Sequence, residues 1–132
     1  MTGEAEILRK YKTVAVVGLS DDPERPSYRV AAYLKDNGYR IIPVNPKVKW
    51  VLGELSYPDL LSIPVPFEIV DIFRRPEDVG PIVEQAIAKG ARVIWMQEGI
   101  TNEEAASRAR QAGLQVVMDR CMMKEHRKLS ST

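Results

Sequence analysis

A three-layer α/β sandwich is the fold this sequence predicts, and three observations predict it. Five short apolar, largely β-branched runs alternate with helical patterns along the chain. The first of them, Thr13-Val14-Ala15-Val16-Val17, is apolar on both faces, as a strand buried in a parallel sheet is. Glycine or proline punctuates the boundaries at Gly18, Gly38, Pro46, Pro76, Gly90 and Gly113.

The elements follow in order. Residues 4–11 predict a short helix with Ile7, Leu8 and Tyr11 on one side. The first strand ends at Gly18, and a polar loop with two prolines runs over 19–26. Ser27 is the expected N-cap of a helix reaching Asn37, with Val30, Ala31, Tyr33 and Leu34 as its apolar face. Residues 40–44 form the second strand, stopped at Asn45-Pro46 because proline donates no N–H. A small extended excursion over 49–53 and a helical turn over 57–61 precede the third strand, 67–73. Pro76 opens the next helix, with Glu77 and Asp78 at its positive end, and Gly90 closes it. The fourth strand is 92–96, with Trp95 expected in the core. Thr101 and Glu104 resemble a capping box for a helix ending at Gly113. The fifth strand is 115–118, a terminal helix covers 121–129, and 129–132 are expected to fray.

This alternation predicts a Rossmann-type sheet of five parallel strands, in the order 3-2-1-4-5, with helices on both faces. A chain of 132 residues fits one domain spanning 1–132. The net charge of +1 argues against a broad nucleic-acid surface. The single cysteine, Cys121, allows no internal disulfide and fits a reducing, cytoplasmic setting. No apolar run approaches the ~20 residues that span a bilayer, and 1–9 lack a signal-peptide core.

Ligands of such sheets bind beyond the carboxyl ends of the strands. After the first strand, Gly18 permits close backbone approach, Ser20 and Ser27 offer hydroxyls, and Arg25 and Arg29 offer charge beside a helix N-terminus. A capped helix beside a solvated charged loop explains the same residues equally well. The dinucleotide pattern G-x-G-x-x-G is absent, since Ser20 and Pro23 stand where it needs glycines. After the second strand, Val44-Asn45-Pro46-Lys47 replaces the acid that an NAD site needs. The Lys47 ammonium suits a ribose-linked phosphate, which NADP and coenzyme A both carry. Phe73, Arg74 and Arg75 follow the third strand and can wall a ring or clamp phosphates. Glu98, Gly99 and Ile100 follow the fourth, in a turn whose backbone can meet the amides of pantetheine.

Five runs in register then carry a resemblance: Val16-Val17-Gly18-Leu19-Ser20, Val44-Asn45-Pro46-Lys47, Val70-Asp71-Ile72-Phe73-Arg74, Gln97-Glu98-Gly99-Ile100 and Met118-Asp119-Arg120-Cys121. On these the chain resembles the small stand-alone CoA-binding proteins and, more distantly, the CoA-binding domain of the succinyl-CoA synthetase α subunit. The resemblance implies coenzyme A in the crevice, with the diphosphate at Gly18, Ser20 and the following helix. It implies Asn45, Pro46 and Lys47 at the adenosine and its 3′-phosphate. Phe73 and Arg74 would border the adenine or the pantetheine arm, and the turn at Glu98–Ile100 would face that arm. It supplies no catalytic activity.

No catalytic or metal-binding constellation emerges from the residues themselves. Gly18-Leu19-Ser20-Asp21-Asp22 lacks the second glycine of a nucleophile elbow, and no Cys/His cluster has metal spacing. The one histidine, His126, is expected to be exposed, and it lies about 140° around a regular helix from Cys121. Cys121, near a helix start, offers a thiol for a mixed disulfide with CoA, or a small buried side chain. The leading expectation is therefore a CoA or acyl-CoA carrier, sensor or regulatory module. The alternatives are an NADP-binding reductase or sensor, and a partner subunit completing a larger acyl-CoA ligase.

Overall fold

The computed structural model describes residues 3–130. Five parallel strands form the main sheet: β1 (Thr13–Val17), β2 (Arg40–Val44), β5 (Ile69–Ile72), β6 (Val93–Met96) and β7 (Gln115–Val117). A small antiparallel hairpin, β3 (Trp50–Val51) and β4 (Glu54–Leu55), lies between β2 and β5 in the chain. The helices are α1 (Gly3–Lys10), α2 (Pro26–Asp36), α3 (Val79–Ala88), α4 (Glu103–Gln111) and α5 (Met122–Ser130).

Alternate residues of each strand feed two cores, as the period of two requires. On one face Ala15, Ile42, Val70, Ile72, Ile94 and Met96 pack with Val83 of α3 and Ala106 of α4. On the other, Val14, Val16, Ile41, Ile69 and Trp95 pack with Leu8 of α1, Leu34 of α2 and Met122 of α5. The three-layer α/β class is therefore as expected, and Trp95 is fully buried with Nε1–H donating to the Arg120 carbonyl at 2.8 Å. None of the described helices is long and apolar enough to cross a membrane.

The strand order departs from the expectation. Counting the five long strands along the chain, the order is 2-1-3-4-5 rather than 3-2-1-4-5. The third of them, β5, crosses to the far side of β1, with Ala15 opposite Val70 and Val17 opposite Ile72. The slot outside β2 is already taken at its carboxyl end. There Tyr57 N–H donates to Pro43 O at 3.0 Å and Tyr57 O accepts from Asn45 N–H at 2.9 Å. Pro43 O points outward to Tyr57, so its missing N–H faces the same outer edge, where proline is tolerated. The segment between β2 and β5 has no α-helix, only the hairpin and a 3-10 turn at Leu60–Ser62, so nothing there drives a second strand outward.

Two caps also differ. The N-cap of α2 is Arg25, without a side-chain bond, and Pro26 takes the first helical turn. Ser27, expected at that position, instead accepts a hydrogen bond from Ser20 N–H on Oγ at 3.0 Å. The α4 cap is Asn102 rather than Thr101, because Asn102 Oδ1 reaches Ala105 N–H at 2.9 Å. Pro76 begins a 3-10 turn, Pro76–Asp78, that leads into α3. Positions 129 and 130, expected to fray, belong to α5, while 131 and 132, like 1 and 2, lie outside the described residues.

Candidate functional site

All five main strands end at one edge of the sheet, and the candidate residues gather there. Gly18 has φ +87°, and a Cβ on it would sit 2.5 Å from the Phe73 carbonyl oxygen. Only glycine lets the ends of β1 and β5 converge this closely. Gly18 N–H also donates to Val44 O at 2.8 Å, tying in β2. Leu19 turns its side chain into the core and presents its carbonyl to Asn45 Nδ2 at 3.0 Å. The loop beyond braces itself: Ser20 Oγ accepts from Asp22 N–H at 3.0 Å and Asp22 Oδ1 from Glu24 N–H at 2.9 Å.

The start of α2 differs from those of α1 and α4. Both of those carry two glutamates in the first turn, whereas α2 has no acid there and no side-chain cap. Pro26 has no N–H, and Tyr28 and Arg29 N–H donate to Arg25 O at 3.1 and 3.2 Å, so Ser27 N–H and the positive dipole end are what α2 leaves for something anionic. Beside it, the guanidinium groups of Arg25 and Arg74 have no ion-pair partner among the described residues.

Three hollows run along this edge and share Arg74. The middle one, about 370 Å³, is bounded by Gly18, Ser20, Arg25, Ser27, Asn45 and Arg74. A second, about 380 Å³, lies toward β2, where Val44 and Pro46 face Pro58, Asp59 and Leu60. The largest, about 900 Å³, extends from Phe73, Arg74 and Arg75 to Glu98, Ile100 and Cys121. Lys47 is exposed on the turn made by its own N–H to Asn45 Oδ1 at 2.9 Å, outside the linings of these hollows. Arg75 is exposed and turned back onto Asp78, Nε to Oδ2 at 3.3 Å.

The far wall of the large hollow joins two segments. Gln97, buried, accepts from Met122 N–H on Oε1 at 3.1 Å. Glu98 pairs with Lys124 at 2.9 Å, and that carboxylate holds the Lys124 ammonium above its ordinary range. Gly99 N–H donates to Asp119 Oδ1 at 2.7 Å. Cys121 is buried and borders the hollow at the start of α5.

Sequence reasoning missed Val30, Pro76, Asp78, Met123 and Lys124 in this lining. Met123 and Lys124 stand just past the fifth strand, where the same topological rule that selected Cys121 could have found them. His126 was misjudged. It is half-buried, with Nδ1 2.7 Å from Tyr33 Oη and its ring edge-on to Tyr33 and Tyr39. Tyr33 of α2 and Tyr39, just before β2, meet it on α5, which periodicity along a single helix does not reveal.

Comparison with known proteins adds to this geometry. Residues 12–127 match the model of the CoA binding domain family. The chain is 42% identical over 121 residues to the uncharacterized protein YneT of Bacillus subtilis (strain 168), covering 92% of this chain and 90% of that one. A hypothetical protein from Pyrococcus horikoshii OT3, of solved structure, is 48% identical with a TM-score of 0.93, over 96% of this chain and 89% of its own. Acetate–CoA ligase (ADP-forming) II of Archaeoglobus fulgidus is 30% identical over 95 residues, 70% of this chain, which spans 14% of that protein.

Proposed function

The chain belongs to the CoA-binding domain family, and from that premise we propose that it binds coenzyme A or an acyl-CoA along the carboxyl edge of its sheet. The observation that carries the proposal is the run of three hollows sharing Arg74, next to a helix N-terminus that has neither cap nor acid. An elongated ligand with a charged middle suits that shape.

The diphosphate is assigned to the middle hollow. There the α2 N-terminus, Arg25 and Arg74 supply positive charge. The adenosine is assigned toward β2, against Val44 and Pro46 and beside Asn45 of the middle hollow, with the exposed Lys47 as the cation for its 3′-phosphate. The pantetheine arm takes the large hollow, past Phe73 to the turn at Glu98–Ile100 and on to Cys121. Its mostly apolar stem suits a wall of Val30, Phe73, Ile100 and Met123. In this proposal the chain carries, senses or regulates, and performs no bond chemistry of its own. An arrangement in which it completes a larger acyl-CoA ligase would show as co-purification with a second subunit.

Calorimetric titration with CoA, dephospho-CoA and NADPH tests the assignment. CoA is expected to bind in the micromolar range, dephospho-CoA more weakly, and NADPH weakest. Arg74→Ala is expected to weaken CoA by about tenfold to a hundredfold, the worth of losing a charged hydrogen-bond donor. Lys47→Ala is expected to bring CoA down to the affinity of dephospho-CoA. Tighter binding of NADPH than of CoA would overturn the proposal, and equal affinity for CoA and dephospho-CoA would remove the role of Lys47.

A further inference from the structure

Asp119 lies two residues past the end of β7 with its backbone at φ +58°, one of two non-glycine residues with positive φ among those described. Residues of this kind concentrate where a fold holds a functional geometry. The carboxylate uses that bend to reach across the sheet edge to Gly99 N–H at 2.7 Å. Gly99 is itself at φ +82°, and open space surrounds the place of its missing Cβ, so glycine is there for its backbone angle.

This contact is one of three in succession. Gln97 is tied to Met122 N–H, Glu98 to Lys124 and Gly99 to Asp119. Gln97, Glu98 and Ile100 line the large hollow from the turn after β6, while Cys121, Met123 and Lys124 line it from around the start of α5. Neither Gly99 nor Asp119 lines it, so Asp119 acts on the hollow only through the turn. Arg120 N–H to Met96 O at 3.3 Å and Trp95 Nε1–H to Arg120 O at 2.8 Å join the same segments at the end of β6, and none of the other ties reaches the tip at Gly99. The Glu98–Lys124 pair joins two exposed side chains, which hold geometry weakly, and the Gln97 bond secures the first turn of α5 rather than the tip at Gly99.

We propose that Asp119 is a positioning residue: its carboxylate fastens the Gln97–Ile100 turn to the start of α5, making one preformed wall for the arm of the ligand in the large hollow. This rests on the assignment of that hollow to the pantetheine arm. The role predicts an affinity loss confined to that part of the ligand, because a preformed wall spares ordering on binding.

The test uses Asp119→Gly, which removes the acceptor while suiting the left-handed backbone, and Asp119→Asn, which keeps an acceptor oxygen and tolerates that backbone. Each is titrated with CoA and with adenosine 3′,5′-bisphosphate, which lacks the pantetheine arm. Asp119→Gly is expected to lose about tenfold for CoA, the scale of one hydrogen bond, with the bisphosphate unchanged and Asp119→Asn restoring CoA binding. An Asp119→Gly protein that binds CoA as the wild type does, or that loses both ligands equally, overturns the proposal. Amide hydrogen exchange at Gly99 and Ile100 reads the wall without ligand. Slow exchange in the wild type and Asp119→Asn, and fast exchange in Asp119→Gly, is expected; equal protection in all three overturns it. If the wild type binds neither ligand while the exchange pattern holds, the assignment of the hollow fails and the ligand role of Asp119 falls with it.

Discussion

Asp71 sits in the middle of β5, between Val16 and Trp95, with no water access and no hydrogen-bond partner on either carboxylate oxygen. Burial pushes its carboxyl well above the usual carboxylate range. The unfolded chain ionises it from about pH 4 upward, while the folded chain keeps the proton longer. The unfolded state therefore binds fewer protons, and this residue's contribution to stability falls as pH rises above about 4. Asp71→Asn is expected to remove that slope, and Asp71→Leu to raise stability at pH 8 by about 1–3 kcal/mol, the cost of an unsatisfied buried polar group. Urea unfolding at pH 5 and pH 8 checks both. A wild type whose change between the two equals that of Asp71→Asn rules the account out. At this scale Gly18, Arg74 and Phe73 were legible because each follows an apolar run directly. The burial of Leu19 was not, since a leucine next to a turn can face either way until the neighbouring helices are placed.

At the scale of the element, α5 is the informative case. Cys121 immediately precedes it, Met123 and Lys124 lie in its first turn and His126 in its second. The His126 ring is met by Tyr33 from α2 and by Tyr39 from the approach to β2, and the Lys12 ammonium bears on it from the link between α1 and β1. Burial first, and Lys12 second, hold its imidazole below the ordinary histidine range. A depressed histidine stabilises the fold in its neutral form, and that contribution is lost as pH falls through and below about 6.5. The melting temperature of the wild type is expected to fall more between pH 7.5 and pH 5 than that of His126→Gln, which does not titrate. Parallel falls in the two proteins would discount the effect. Helix spans were readable from periodicity, whereas caps were not. Thr101 and Asn102 are both good capping residues, and only the path of the chain into α4 chose Asn102, whose Nδ2 also reaches Pro76 O at 2.9 Å.

For the whole molecule, a ligand that bridges the ends of β2, β1, β5, β6 and β7 must stabilise all of them together. CoA at a hundred times its dissociation constant is expected to add about 2.7 kcal/mol to the unfolding free energy. A thermal shift of several degrees should follow, larger for CoA than for dephospho-CoA at equal concentration. Absence of any shift with CoA would contradict the proposed site. The sequence by itself determined the α/β class, the alternation of strand and helix, and which loops gather at the carboxyl edge of the sheet. Those properties follow from apolar periodicity and from glycine and proline chemistry, which act over a few residues. Only the tertiary structure decided that β5 lies beside β1, that Arg74 borders three hollows, and that the turn at Gly99 is held by Asp119. Strand pairings in the main sheet and the Gly99–Asp119 hydrogen bond join residues twenty or more positions apart. Their choice rests on competition for sheet edges and on side chains meeting across elements, which no local pattern records.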